Sequence, residues 1–208
     1  MFEIVSLEYK SDHVTITLDT GESIKFPFDL YKLYKLETGK KLDRTEYLQL
    51  KEESERFECN RKAVNYLSIR SRSSREMENY LIKKGFSKDI IINILKELRD
   101  TGYLNDLDFA KRYITSKKKR KTIGKNLLRK ELLGKGVSRD TINRALKETS
   151  FDHDDITEIY TLATKKLTSL EKKTNKKSKL IYFLHQRGFD NDVIYTVIEQ
   201  LENDGFEL

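Results

Sequence analysis

Apolar positions fall into two regimes along the chain. In residues 1–28 they recur at every second position: Val5, Leu7 and Tyr9, then Val14, Ile16 and Leu18, then Ile24, Phe26 and Phe28. Period two marks a strand with one buried face, so three short strands are predicted. Ser11-Asp12 and Asp19-Thr20-Gly21 supply turn chemistry between them, and Pro27, the single proline, suits an edge strand. Leu30, Leu33, Tyr34 and Leu36 then space like a short helix that stops at Gly39. Asp43, with Glu46 three residues on, reads as a capping box that opens a helix through Tyr47, Leu50 and Phe57.

From Asn60 onward the spacing is helical, and one phrase recurs three times. Its copies are Lys84-Gly85-Phe86-Ser87, Lys135-Gly136-Val137-Ser138 and Arg187-Gly188-Phe189-Asp190, with the glycines 51 and 52 residues apart. The basic residue suits the negative end of a helix. Glycine takes the left-handed conformation of a helix stop. The serine or aspartate is placed to cap the next helix. An apolar helix follows each phrase: Ile91, Ile94, Leu95 and Leu98; Ile142, Ala145 and Leu146; Val193, Ile194, Val197, Ile198 and Leu201. Another lies upstream: Ala63, Val64 and Leu67; Phe109, Ala110 and Tyr113; Ile156, Ile159, Tyr160, Ala163 and Leu167.

The pattern predicts a mainly α protein. Tandem three-helix repeats would form an elongated, curved solenoid behind a small β-rich N-terminal domain. The expected division is a β-rich domain over 1–42, a helical linker over 43–60, and repeats over 61–104, 105–150 and 151–208.

Charge changes the picture. The first 60 residues hold 9 basic and 13 acidic groups, and the remainder hold 32 and 21, so the C-terminal part carries a net +11. That asymmetry points to a polyanionic partner, or to a lysine-rich solvated surface. Residues 109–130 contain ten basic groups and no acid: Lys111, Arg112, Lys117, Lys118, Lys119, Arg120, Lys121, Lys125, Arg129 and Lys130. Lys172, Lys173, Lys176, Lys177 and Lys179 occupy the corresponding inter-helix place in the third repeat, and Arg70, Arg72 and Arg75 in the first. Stacked in register, these joints would line one side of the solenoid and grip phosphates.

No active site emerges from the sequence. His13, His153, His185 and Cys59 lack metal-ligand spacing, and no glycine-rich phosphate loop follows a strand. Asn105-Asp106-Leu107-Asp108 reads as a helix cap, although a magnesium-dependent nuclease built on Asp106 and Asp108 is the enzymatic alternative. Asp152, Asp154 and Asp155 read as a linker and helix start. Tyr66, Tyr80, Tyr113, Tyr160 and Tyr182 fall on helix faces and are expected to pack in cores rather than to stack on bases. One cysteine rules out an intramolecular disulfide, no apolar run spans a membrane, and Met1-Phe2-Glu3-Ile4-Val5 does not resemble a signal peptide. A cytoplasmic monomer without cofactor or metal is expected.

Several motifs, in order, resemble those of the RecX regulatory proteins. They are Arg70-Ser71-Arg72-Ser73-Ser74-Arg75-Glu76-Met77 with Leu81 and Lys84-Gly85, then Gly102-Tyr103-Leu104-Asn105-Asp106 with Phe109-Ala110 and Tyr113, then Gly124 with Leu128, Glu131-Leu132 and Lys135-Gly136-Val137. The resemblance covers roughly residues 60–205. The third repeat matches mainly at Leu184, Arg187-Gly188-Phe189 and the closing helix. The head is similar to the N-terminal extension of longer RecX proteins. The resemblance implies a protein that lodges on the RecA–single-stranded-DNA filament and inhibits ATP hydrolysis, strand exchange and SOS co-protease activity. It implies no catalytic residues. A nonspecific DNA-binding repeat module without a RecA partner is the alternative, and double-stranded DNA is left open as a ligand.

Overall fold

Alternation and glycine turns build the N-terminal head. β1 (Phe2–Tyr9), β2 (His13–Leu18) and β3 (Ser23–Pro27) are joined by β4 (Lys41–Leu42) into an antiparallel sheet of order β3-β2-β1-β4. Pro27 ends an edge strand, where a missing N–H costs no ladder bond. The two-residue β4 pairs with Phe2 and Glu3 and is too short to have left a periodic signal. The computed structural model describes residues 1–149, 155–171 and 173–208; Asp152, His153, Asp154 and Lys172 lie outside the described residues.

The first strand departs from simple alternation. A bulge between Ile4 and Ser6 shifts the register against β2, so the inward phase passes from Phe2 and Ile4 to Leu7. Ile4 is fully buried while Val5, expected on the inner face, is 47% exposed. An inserted residue turns its own side chain out and resets the period for those after it. The predicted short helix is the single turn α1 (Phe28–Tyr31); Leu33 is exposed and Leu36 buried.

Helix α2 (Arg44–Ile69) opens on the expected capping box. Asp43 accepts from the Glu46 N–H at 2.8 Å, and the Glu46 carboxylate accepts from the Asp43 N–H at 3.0 Å. This one helix covers both the expected linker and the start of the first repeat. Leu50 enters the head core with Ile4, Ile16 and Phe26, and Tyr47 stacks on Phe2. Two turns later Cys59 and Ala63 enter the first three-helix core, with α3 (Ser74–Lys83) and α4 (Lys88–Asp100) supplying Met77, Leu81, Ile91 and Ile94.

The second repeat comprises α5 (Asp106–Lys118), α6 (Lys125–Gly134) and α7 (Arg139–Glu148), closed on Ala110, Ile114, Leu128 and Ile142. The third comprises α8 (Ile156–Thr168), α9 (Lys176–Gln186) and α10 (Asn191–Asn203), closed on Ala163, Leu180, Leu184 and Val197. Residues 1–71 and 77–104 form one compact unit, and 72–76 with 105–208 form another. Val64 and Ile156, expected to face cores, are 47% and 39% exposed. Tyr66 and Tyr80 stack at 3.9 Å, but Tyr182 departs from the expected packing: it is 66% exposed. None of the described helices is long and apolar enough to cross a membrane.

Candidate nucleic-acid interface

All three phrase glycines adopt positive φ, as helix stops require: +86° at Gly85, +78° at Gly136 and +86° at Gly188. Gly136 and Gly188 also serve as docking points. The Lys135-Gly136 turn sits on the start of α3. There the Ser73 hydroxyl donates to the Lys135 carbonyl at 2.6 Å and accepts from the Glu76 N–H at 3.1 Å. Ser73 is fully buried, and Lys135 reaches back to the Glu76 carboxylate at 3.1 Å. A Cβ on Gly136 would meet the Arg75 side chain at 2.3 Å.

The Arg187-Gly188 turn sits on the start of α6 in the same manner. Gly124 N–H donates to the Arg187 carbonyl at 2.9 Å, and Asn126 N–H to the Gly188 carbonyl at 3.0 Å. Helix α6 has no side-chain cap of its own. The following repeat therefore satisfies its first N–H groups with the carbonyls that end α9, joining a positive helix end to a negative one. Asp190 was expected to cap α10; instead its carboxylate bonds Asn126 Nδ2 at 2.6 Å and Lys125 Nζ at 2.5 Å. Ser87 also makes no side-chain cap bond, whereas Ser138 accepts from Thr141 N–H at 3.2 Å as expected.

Each connection from the first helix of a repeat to the second carries basic residues. Arg70 and Arg72 lie between α2 and α3, with Arg75 in the first turn of α3. Lys119, Arg120 and Lys121 lie between α5 and α6, while Lys117 and Lys118 complete the last turn of α5. Lys173 lies between α8 and α9, with Lys176, Lys177 and Lys179 opening α9.

Many of these cations have internal work. Lys117 bonds the Glu131 carboxylate at 2.8 Å and lies 5.2 Å from the Tyr113 ring centroid, while the Tyr113 hydroxyl donates to Glu131 at 2.7 Å. Burial pushes Glu131 up, yet hydrogen bonds from Lys117 and Tyr113 outweigh it and hold the carboxyl below its ordinary range. The bond to Glu131 correspondingly raises Lys117. Lys111 pairs with Glu148, Arg112 with Asp108 at 2.8 Å, and Lys177 with Glu202 at 2.6 Å. Arg129 donates to Asn126 at 3.1 Å, Lys176 to the Glu207 carbonyl at 3.3 Å and Lys179 to the Thr174 carbonyl at 2.7 Å. Arg70 donates to the Ser71 carbonyl at 2.8 Å, and Arg72 and Lys118 are engaged too.

Lys119, Arg120, Lys121, Lys130 and Lys173 are different. Their side chains are exposed and have no ion pair among the described residues. The three consecutive ones form a bare cationic loop whose ends are anchored by α5 and the docked start of α6. Asn105 caps α5, accepting from Leu107 and Asp108 N–H at 3.0 and 3.1 Å, and Asp106 accepts from Ser74 N–H at 2.7 Å. The acidic run thus fastens α5 and the beginning of α3.

Comparison with known proteins agrees with the three-helix design. The first three-helix domain of RecX matches residues 59–98 and the second matches residues 105–146. The regulatory protein RecX of Bacillus subtilis (strain 168) is 31% identical over 208 residues, covering 99% of this chain and 78% of that protein. The chain belongs to the RecX family. The RecX of Bacillus licheniformis is 30% identical over 206 residues, covering 97% of this chain and 78% of that protein. A RecX crystal structure superposes with a TM-score of 0.77 over 96% of this chain and all of that one, at 19% identity, and so supports the fold alone. RecX from Lactobacillus salivarius gives a TM-score of 0.65 at 26% identity, over 72% of this chain and 97% of that one. These relatives are named regulatory proteins, not enzymes.

Proposed function

We propose that the chain regulates the RecA recombinase, binding the RecA–single-stranded-DNA filament and inhibiting ATP hydrolysis, strand exchange and SOS co-protease activity. It acts in the cytoplasm as a monomer, by binding and without chemistry of its own. RecX membership supports the partner. The observation that carries the contact surface is the bare loop Lys119-Arg120-Lys121, solvent-facing among neighbours whose charges are already paired. Three unpaired cations on one short connection neutralise phosphates without a prior ion pair having to break. Affinity then falls steeply with salt, by about 0.7 of logarithmic slope per phosphate contact on a single strand. The hydrogen-bonded joint between the second and third repeats keeps that loop in a fixed frame. A protein bound across neighbouring filament subunits opposes the motions that hydrolysis requires.

The test compares binding to RecA-coated and bare single strands of equal length, for the native chain and for Lys119→Glu/Arg120→Glu/Lys121→Glu. The native chain should prefer the coated strand, and the variant should bind it at least tenfold more weakly, with a salt slope reduced by about two. Equal affinity for both strands would instead identify a DNA-binding module without a RecA partner.

A further inference from the structure

The third repeat holds a cavity of about 540 Å³ beside the α8–α9 connection, within the ~300–1,000 Å³ range of small-ligand sites. Leu170, Tyr182 and Phe183 give it apolar and aromatic surface, and Lys166, Lys173 and Lys179 are the cations among its lining residues. Lys166 Nζ lies 5.2 Å from the Phe183 ring centroid, and the Arg187 guanidinium lies 5.0 Å from the same ring. No carboxylate is among the described residues that line it. Tyr182 is 66% exposed although it stands on a helix whose neighbours Leu180 and Leu184 are fully buried.

An aromatic side chain left in solvent on a cavity that three lysines also line does not serve a core. It offers a flat apolar face to something that is itself flat, apolar and attached to negative charge. We propose that this cavity receives an unstacked base of single-stranded DNA, which lies on Tyr182 while its flanking phosphates meet Lys166, Lys173 and Lys179. Charge complementarity selects a polyanion, and the aromatic surface selects one whose bases are not already paired and stacked. A duplex presents phosphates but no free base face, and an acidic peptide presents charge but no ring. The inference rests on the reading that this chain contacts the DNA of the filament, and it adds the site and the chemical group recognised.

The experiment measures anisotropy of labelled (dT)20, an abasic strand of the same length, and a 20-base-pair duplex, with the native chain, Tyr182→Ala and Tyr182→Phe. Since Tyr182 is largely exposed, neither substitution opens a core; unchanged helicity and melting temperature confirm folding. The native chain should favour (dT)20 over the abasic strand by roughly tenfold, the scale of one base–aromatic stack. Tyr182→Ala should lose that preference, and Tyr182→Phe should retain it. An unchanged preference in Tyr182→Ala overturns the proposal, as does a native chain that binds both strands equally. Duplex binding that depends equally on Tyr182, or displacement of (dT)20 by poly-glutamate as readily as by unlabelled (dT)20, also overturns it. RecA ATP hydrolysis measured with the same proteins separates the two readings. If the native chain inhibits RecA while Tyr182→Ala keeps the base preference, only the cavity assignment falls. If the base preference depends on Tyr182 but RecA is unaffected, only the regulatory reading falls.

Discussion

Replacing Gly124 by alanine tests whether the repeats are joined as described. The backbone there, φ −85° and ψ 161°, is open to any residue, so alanine brings no torsional strain. The added methyl would lie 2.2 Å from the Gly188 carbonyl oxygen, 2.3 Å from its carbon and 2.5 Å from the Phe189 nitrogen. These are backbone atoms and cannot rotate away. The chain can hold the clash, at about 1–3 kcal/mol for overpacking. Alternatively it can withdraw the third repeat and lose the bonds from Gly124 and Asn126 N–H, at about 1 kcal/mol each, together with their packing. The cheaper route decides the cost, so the substitution destabilises by about 1–3 kcal/mol. Gly134 is the internal control: it has negative φ, a place at the end of α6 and nothing within 4 Å of an added Cβ, so alanine should stabilise by about 0.4–1 kcal/mol. Urea denaturation followed by circular dichroism measures both variants, and hydrogen exchange at the Gly124 and Asn126 amides reports the joint directly. Loss of stability in Gly124→Ala with accelerated exchange at those amides is expected. If Gly124→Ala proves as stable as Gly134→Ala, the docking argument fails.

Other consequences follow from single residues. Burial pushes Asp190 up, but bonds from Lys125 and Asn126 leave its carboxyl below the ordinary 3.8. Its contribution is therefore present above that value and lost as pH falls through the lower folded one. Asp190→Asn should cost about 1 kcal/mol near neutrality, and the gap from the native chain should narrow below about pH 3.8; a pH-independent gap would contradict this assignment. Cys59 is fully buried, and burial, with Glu55 nearby, pushes its thiol up to about 12, so it should resist alkylation in the native chain and react on unfolding. Rapid native labelling would contradict that. The bulge in β1 predicts that Val5→Thr changes stability by less than about 0.5 kcal/mol while Ile4→Ala costs about 2–5, both read from thermal unfolding.

What was legible in the sequence is what local chemistry decides. Gly85, Gly136 and Gly188 were readable as helix stops because a left-handed residue leaves a local mark, and the Asp43 box was readable because both partners lie within one turn. The joints were not readable. Gly124 meets Gly188 across 64 positions, and nothing near Gly124 in sequence says that a foreign carbonyl will cap α6. The same limit applies to charge. A stretch over 109–130 with ten basic residues and no acid shows attraction to anions, but pairing of Lys117 with Glu131 and of Lys125 with Asp190 depends on tertiary docking. The bulge hid the phase of β1 in a similar way, because one inserted residue moves every later side chain to the other face.

Regulation of a recombinase through a bare cationic loop is the function proposed for this chain. Its most direct measurement is RecA ATP hydrolysis on single-stranded DNA, titrated with the native chain and with Lys119→Glu/Arg120→Glu/Lys121→Glu. Hydrolysis should fall as native chain is added, and the folded triple variant should require at least tenfold more protein for the same effect. Hydrolysis unchanged by the native chain, or suppressed equally by both proteins, would contradict it.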